Sequence, residues 1–402
     1  MDPPRFIDHY RGLLKWLRIC GLASSWHHQS NFFSRFSFFI YATFLVIMVS
    51  YVILCYIYTA MMTSLTITDV CTFGVSGGCY VCGLLVSSYL IRYKDRLKKI
   101  TDEMDIITKK IIESELGEGE FLLNEYNKNS KLMAVLTDGS LYLSFATPIF
   151  YCVSTPVLEW YNGMYRSNLP IQTLSFFDEK APGCYELMVI FTACSIAIST
   201  SKKSANDCLF IALFRIQTIF IKYLSVSKRA LEKKILADDS LRGQRKLLAW
   251  IKLHQDIMKN VEELIIYFSP VVIIYYVMVV EIVVCGAFVQ LEKDNDNIIQ
   301  SISVGSYVAT TVLYHFLLAN TVDELSDEAQ KLAFVEYCLP WDKMNKKNIS
   351  MVKFVLTMCN KPIKVTAYRA PIFLLNRETF AGFLLSAISA FVTFSGMKHN
   401  GS

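Results

Sequence analysis

Residues Leu264–Val289 read LIIYFSPVVIIYYVMVVEIVVCGAFV, and in that stretch of 26 positions Glu281 is the one charged side chain. A helix rising 1.5 Å per residue needs about 20 such positions to cross a hydrocarbon layer about 30 Å thick. The stretch therefore predicts a membrane span. Working outward from it, apolar windows of comparable length and low charge recur at Ser37–Ala60, Ile67–Ile91, Leu132–Thr155, Tyr185–Thr200, Ile299–Asn320 and Thr379–Met397, giving seven. Of the 402 residues 53% are hydrophobic and 19% charged, with a mean hydropathy of +0.36. That is too apolar for a soluble domain of this size. The predicted fold class is an all-α membrane protein with seven transmembrane helices. Met1–Gln29 is charged and mixed, without a cleavable leader pattern, so the first span is expected to act as the insertion signal.

Lysine and arginine placement orients the bundle. Outside the windows, 36 of the 40 fall on the side shared by the N-terminus and the segments 92–131, 201–263 and 321–378, and 4 on the other. The positive-inside rule puts the N-terminus in the cytosol and, after seven spans, the C-terminus outside. A G-protein-coupled type of seven-helix receptor needs the opposite orientation. A secondary transporter is expected to show repeats with discontinuous helices or paired intramembrane charges, and neither is visible in the sequence. There is no phosphate-binding glycine loop, no H-E-x-x-H, no G-x-S-x-G and no acidic pair at catalytic spacing within a span. No catalytic residue, metal site, cofactor or nucleic-acid partner is expected, and the chain does not read as an enzyme. The Cys79-x-x-Cys82 pair lies in an apolar helix without further ligands. Cys71, Cys152, Cys184 and Cys285 fall near the outer face, where one disulfide is possible and none required.

The cytosolic segments carry their own helical pattern. From Tyr185 helical composition continues to about Leu231, some 70 Å at 1.5 Å per residue. The fifth span likewise starts near Leu247, with Trp250, His254, Ile257, Val261 and Leu264 on one face, and Ala333–Leu356 offers a third helix in the same region. Their apolar faces must be buried against something, which predicts cytosolic helical anchor extensions. At the N-terminus Phe6, Tyr10, Leu13, Leu14 and Leu17 alternate helically with Arg5, Arg11, Lys15 and Arg18. This amphipathic segment either lies on the inner leaflet or caps the cytosolic bundle. The chain thus divides into a cytosolic segment 1–36, helices one to six with the candidate cavity and the long extensions at 37–320, a cytosolic anchor segment 321–378, and a last helix with a short extracellular tail at 379–402.

Two places are candidates for function. Ser144, Thr147 and Tyr151 share one face of the third span, with Phe145 and Phe150 adjoining, and Phe73, Met188, Thr192, Tyr307 and Thr311 are the facing candidates on spans two, four and six. Aromatic and thioether walls with a few hydroxyls suit a small, mostly apolar ligand; inter-helix packing is the alternative. In the last span, Gly382, Ser386, Ser389, Thr393 and Gly396 recur at helical spacing among Phe380, Phe383, Leu384, Leu385, Ile388, Phe391, Val392 and Phe394. One small and hydroxyl-bearing stripe runs along an otherwise lipid-compatible helix. It either lines water or packs closely against another helix. Glu281, costly at its depth unless paired, hydrated or protonated, is read either as functional or as a neutral acid bonded to a neighbouring tyrosine or hydroxyl. The outer loops are acidic on balance, which favours cations at the mouth.

The C-terminal third carries more specific signals: Tyr337-Cys-Leu-Pro-Trp341, then Cys359-Asn-Lys-Pro362-Ile, then Pro371-Ile-Phe-Leu-Leu-Asn-Arg-Glu-Thr379-Phe380 ahead of the Ser/Thr-bearing last helix. This arrangement resembles the closing region of insect odorant receptors, over about 60 residues, and the seven inverted spans agree with it. It departs from the related gustatory branch, whose Thr-Tyr and Gln-Phe signals are absent, and Ile388 and Ala390 stand where tyrosines often occur. The resemblance implies a ligand-gated, nonselective cation channel in the plasma membrane of a sensory neuron dendrite, a tetramer around a central pore. The chain lacks the enlarged cytosolic loop of the co-receptor, so the resemblance implies a ligand-tuned subunit that binds a small apolar odorant and assembles with a co-receptor among membrane lipid. It places the narrow outer gate on Thr393 and Met397, extends the pore lining through Ser386 and Ser389, sets Glu378 at the inner exit for permeant cations, and puts the odorant pocket in the cavity named above.

Overall fold

The structure, a computed structural model, describes residues 10–19, scattered positions between 43 and 61, and residues 67–114, 116, 118–161, 163, 181–237, 241–292, 298–337, 346–359 and 362–400. Its helices are α1 (Arg11–Ile19), α2 (Ile67–Arg92), α3 (Lys94–Glu113), α4 (Gly119–Tyr161), α5 (Cys184–Ala237), α6 (Leu241–Glu292), α7 (Ile298–Tyr337), α8 (Lys346–Cys359) and α9 (Arg377–Asn400). Among the described residues there is no strand, only an isolated antiparallel bridge between Thr366 and Leu374. The first predicted span, Ser37–Ala60, falls largely outside the described residues, as does most of the loop before α5.

Each window predicted from the sequence beyond the first lies inside a longer helix. α5 runs for 54 residues and α6 for 52, so each is about 80 Å long and extends well beyond a bilayer core. α5 begins where Gly183 adopts a positive φ of 86°, a conformation glycine takes without steric cost. The Gly183 N–H donates to Glu186 Oε2 at 2.8 Å, so a carboxylate satisfies a donor that the helix leaves open and complements its N-terminal dipole.

α5 is the axis of the molecule, packed by α4, α7, α2 and α6. From Ala205 to Leu224 nearly every residue is buried, which explains why its sequence shows no amphipathic stripe: a helix surrounded on all sides has no solvent face. Phe210, Phe214 and Phe268 interlock with ring centroids 4.2 to 5.4 Å apart, and each fully buried ring contributes roughly 1.5–3 kcal/mol. Below this layer Trp250 of α6 fills the cytosolic bundle. Its Nε1 donates to Ser227 Oγ at 3.1 Å, Lys228 Nζ lies 4.3 Å from its ring centroid, and His254 stacks on it at 5.6 Å.

The N-terminal helix resolves one sequence alternative. Tyr10, Leu13, Leu14 and Leu17 are buried against α4 and α5, and Trp16 Nε1 donates to Asp138 at 2.9 Å. Its apolar face therefore caps the bundle. α3 is amphipathic too, with Leu97, Ile100, Met104, Ile107 and Ile111 buried at helical spacing on α6. The segment Ala333–Leu356 comprises the end of α7 and most of α8, with 338–345 between them outside the described residues.

Close helix approach has a local cause at two glycines. A Cβ at Gly78 of α2 would stand 2.7 Å from Glu281 Oε2, so the glycine makes room for the carboxylate of α6. At Gly286 a Cβ would overlap Val308 Cγ2 of α7. Small residues at such crossings let membrane helices pack backbone to backbone.

His254 supplies a pH-dependent term. Burial, with the Lys228 charge beside it, pushes its imidazole down to about 4, and Cys359 Sγ of the α8 C-terminus lies 3.5 Å from Nε2. The folded state thus binds fewer protons than the unfolded one between the unfolded pKa of about 6.5 and the folded value. Stability contributed by neutral His254 is complete above that window and is lost as pH falls through it, by an order of 3 kcal/mol. Thermal unfolding of purified protein at pH 7 and 4.5 should show a loss that His254→Gln reduces; an equal loss in both proteins refutes this assignment.

Candidate ligand cavity and last helix

The residues singled out on spans three, four and six are distributed by α4, α5 and α7. Ser144 is buried, its Oγ 2.8 Å from Ser204 Oγ, and its carbonyl accepts from Thr200 Oγ1 at 2.9 Å. It ties α4 to α5. Phe145, half-buried, turns toward Trp16, with centroids 6.2 Å apart, and so faces the N-terminal cap. Nearer the outer end Met188 joins a separate small core of Cys152, Tyr185, Val189 and Ala193 between α4 and α5, with Thr192 buried next to it. Thr311 on α7 is buried, and its carbonyl lies 2.8 Å from His315 Nδ1. Tyr307, half-buried, packs on the main core. The side chains of Phe73, Thr147, Phe150 and Tyr151 lie outside the described residues, although their helices are described. The structure thus brings Met188 and Thr192 together on α5, sets Thr311 and Tyr307 one turn apart on α7, and gives Ser144 and Phe145 other partners.

The last helix is placed by its entry. Asn376 Oδ1 accepts from the Thr379 N–H at 2.7 Å, a side-chain N-cap. Glu378 lies in the first turn, exposed, where a carboxylate complements the helix dipole. Arg377 joins Asp323 and Asp327 of α7 at 2.8 and 3.1 Å. The segment ahead of α9 docks on α6: Ser269 Oγ donates to the Thr366 carbonyl at 3.0 Å and accepts from the Tyr368 N–H at 2.7 Å. Tyr368 itself has φ 48°, a left-handed value that a tyrosine adopts at a cost.

Along α9, Phe380 and Ala387 are buried, and Phe383 stacks on Tyr276 of α6 with centroids 4.6 Å apart. The polar stripe faces the other way. Gly382, Ser386, Ser389 and Thr393 are exposed on the single chain, together with Leu385, Ile388 and Val392. Ser386 Oγ donates to the Gly382 carbonyl and Thr393 Oγ1 to the Ser389 carbonyl, both at 2.9 Å. Packing of this stripe against another helix of the same chain is therefore excluded among the described residues. The Met397 side chain lies outside them.

Sequence reasoning left one cluster unmarked: Lys203 and Asp207 of α5, 2.7 Å apart and almost completely buried. They sit at the level of Tyr275 and His315, inside the windows of the fifth and sixth spans, past the Thr200 limit set by hydropathy. The signal that could have found them is the i, i+4 spacing of opposite charges in a helix whose apolar composition continues beyond them. Among the described residues no group of three or more His, Cys, Asp and Glu is placed to hold a metal ion.

A family model described as 7tm odorant receptor matches residues 66–384. No curated protein matches the chain. Among solved structures the fold is similar to that of the insect olfactory receptor OR5 from Machilis hrabei, with a TM-score of 0.78, 14% identity and 96% of both chains covered. The same receptor in complex with eugenol gives a TM-score of 0.78 at 13% identity, again over 96% of both chains. At this identity the likeness concerns the fold.

Proposed function

This chain belongs to the 7tm odorant receptor family, and from that premise we propose that it is the ligand-tuned subunit of a nonselective cation channel, assembled with an odorant co-receptor in the plasma membrane of a sensory neuron. The observation that carries the channel reading is the outward face of α9. Ser386, Ser389 and Thr393 are exposed on a helix whose Phe380, Phe383 and Ala387 hold it to the bundle. Hydroxyls facing away from their own bundle suit a surface shared with other subunits around water. Thr393 and Met397 form the outer constriction, Ser386 and Ser389 the lining below it, and Glu378 the cationic exit. The N-terminus is cytosolic and the C-terminus extracellular, so an N-terminal tag is reached by antibody only after permeabilisation; labelling of intact cells refutes that orientation. Residues 321–378 and the long ends of α5 and α6 form the cytosolic anchor.

The ligand is a small, mostly apolar volatile held in the outer half of the bundle by Phe73, Ser144, Phe145, Thr147, Phe150, Tyr151, Met188, Thr192, Tyr307 and Thr311. Of these, Met188, Thr192, Tyr307 and Thr311 have the best structural support, lying on the facing helices α5 and α7. Currents recorded with and without a co-receptor across an odorant panel test the reading. Odorant-evoked cation current that needs both chains is expected; a second-messenger response without current contradicts it. Tyr307→Ala should raise the half-maximal odorant concentration about tenfold or more, since losing a buried aromatic wall costs about 1–3 kcal/mol, with unitary conductance unchanged. Normal potency at normal surface expression would exclude Tyr307 from the pocket.

A further inference from the structure

Lys203 and Asp207 stand one turn apart on α5, Nζ to Oδ2 at 2.7 Å, with side chains 6% and 2% exposed. Around them lie residues of three further helices. Ser140 of α4 reaches Cys208 at 3.6 Å, Tyr275 of α6 adjoins Asp207 and Cys82 of α2, and His315 of α7 meets Tyr275 edge to face at 5.2 Å. Not all of this polarity is closed by protein partners. Asp207 Oδ1, both amide atoms of Asn206, the Tyr275 hydroxyl and His315 Nε2 are buried and meet no protein donor or acceptor. His315 Nδ1 lies 2.8 Å from the Thr311 carbonyl. A carbonyl only accepts, so Nδ1 carries the proton and Nε2 is an acceptor. Acceptors on Asp207 and His315 therefore flank a hydroxyl able both to donate and to accept. Buried polar groups in folded proteins are almost always satisfied, and several of them in one place are where ordered water binds.

The chain neighbours of these residues point elsewhere. Next to Tyr275, Tyr276 donates to the Leu374 carbonyl ahead of α9 at 2.8 Å and stacks on Phe383 of α9. Next to His315, Phe316 meets Phe380 of α9 at 6.4 Å. On α6 and on α7, consecutive residues thus face the buried ion pair and the last helix. On the other side, Ser144 bonds Ser204, one position from Lys203, and Thr311 carries the His315 bond; both are cavity candidates.

We propose that Lys203, Asp207, Tyr275 and His315 form a buried, water-binding polar site whose members are positioning residues, setting α6 and α7 against the last helix according to what occupies the ligand cavity. This rests on the channel reading above. Water is the ligand that fits, because the Lys203 ammonium beside the carboxylate disfavours a cation. Water-bridged groups exchange partners without repacking of rings, so a small shift of Ser144 or Thr311 can reset them.

The test uses the full chain expressed with a co-receptor. Tyr275→Phe removes one oxygen and keeps the ring that packs on Phe210 and Phe268; Asp207→Asn keeps shape and removes the charge. Both should shift the half-maximal concentration of every active odorant in the same direction, by about fivefold or more, the lower range of coupling between sites. The rank order of odorants and the surface level of Tyr275→Phe should stay as in the wild type. A merely structural role lowers surface protein and leaves the dose response of surviving channels where it was. Wild-type curves in Tyr275→Phe at normal surface expression overturn the proposal, even if Asp207→Asn fails to reach the membrane. Absence of odorant-evoked current in the wild-type chain would fail the channel reading instead.

Discussion

Thr393→Lys is expected to cut odorant-evoked cation current by about tenfold or more, because a unit charge about 4 Å from a permeating ion costs between about 1 and 4 kcal/mol from bulk water to a protein surface. The position is exposed on the single chain, on the face of α9 opposite Phe380 and Ala387. Its native hydroxyl is turned back to the Ser389 carbonyl at 2.9 Å, so the wild-type residue presents an uncharged wall. Co-receptor subunits would fill the remaining positions around the pore, so the block should be partial and should relieve when Thr393→Lys is replaced by Thr393→Ser. Surface expression should hold, since no described contact of this chain is lost. Unchanged current with Thr393→Lys at the surface would remove Thr393 from the conduction path.

Trp250→Ala should have the largest effect on stability. The indole is fully buried in the cytosolic bundle, donates to Ser227 Oγ, stacks on His254 and lies under the Lys228 ammonium. Truncation leaves a cavity and takes the ring from beneath a buried cation, at a cost of about 3–5 kcal/mol. The bundle it centres joins the lower parts of α5 and α6, with Cys359 at the end of α8 against His254, so the expected readout is loss of folded receptor at the surface with no change in odorant rank order for whatever remains. Trp250→Phe, which keeps most of the volume, should restore much of the expression. A Trp250→Ala protein that expresses and melts like the wild type would contradict the anchor as described.

The spans were legible because a bilayer imposes a length and a polarity that few other structures need, and Leu264–Val289 meets both. The cytosolic extensions were legible for the opposite reason: Trp250, His254, Ile257 and Val261 keep helical spacing where no membrane demands apolar residues. The lower limit of the fourth span was misread. Hydropathy stops at Thr200 because Lys202, Lys203 and Asp207 are charged, yet Lys203 and Asp207 neutralise each other across one turn and α5 continues buried through them. Paired charge at membrane depth, not visible in the sequence, is therefore present. α3 was legible in principle, since Leu97, Ile100, Met104, Ile107 and Ile111 carry the same spacing, but it sits in a segment read only for its positive charge. The cavity was harder. Ser144 and Phe145 carry the right chemistry, and only the packing of α1 and α5 reveals that one bonds Ser204 and the other meets Trp16. Periodicity names the face of a helix; it does not name what the face meets.

The central claim, that the hydroxyl stripe of α9 borders water in an open channel, is tested most directly by cysteine substitution along residues 382–393, with a membrane-impermeant thiosulfonate applied from outside during odorant-evoked current. The account predicts block at Ser386, Ser389 and Thr393, faster with odorant present than without. Block that peaks instead at Phe383 and Phe391, with the stripe positions silent, would contradict it.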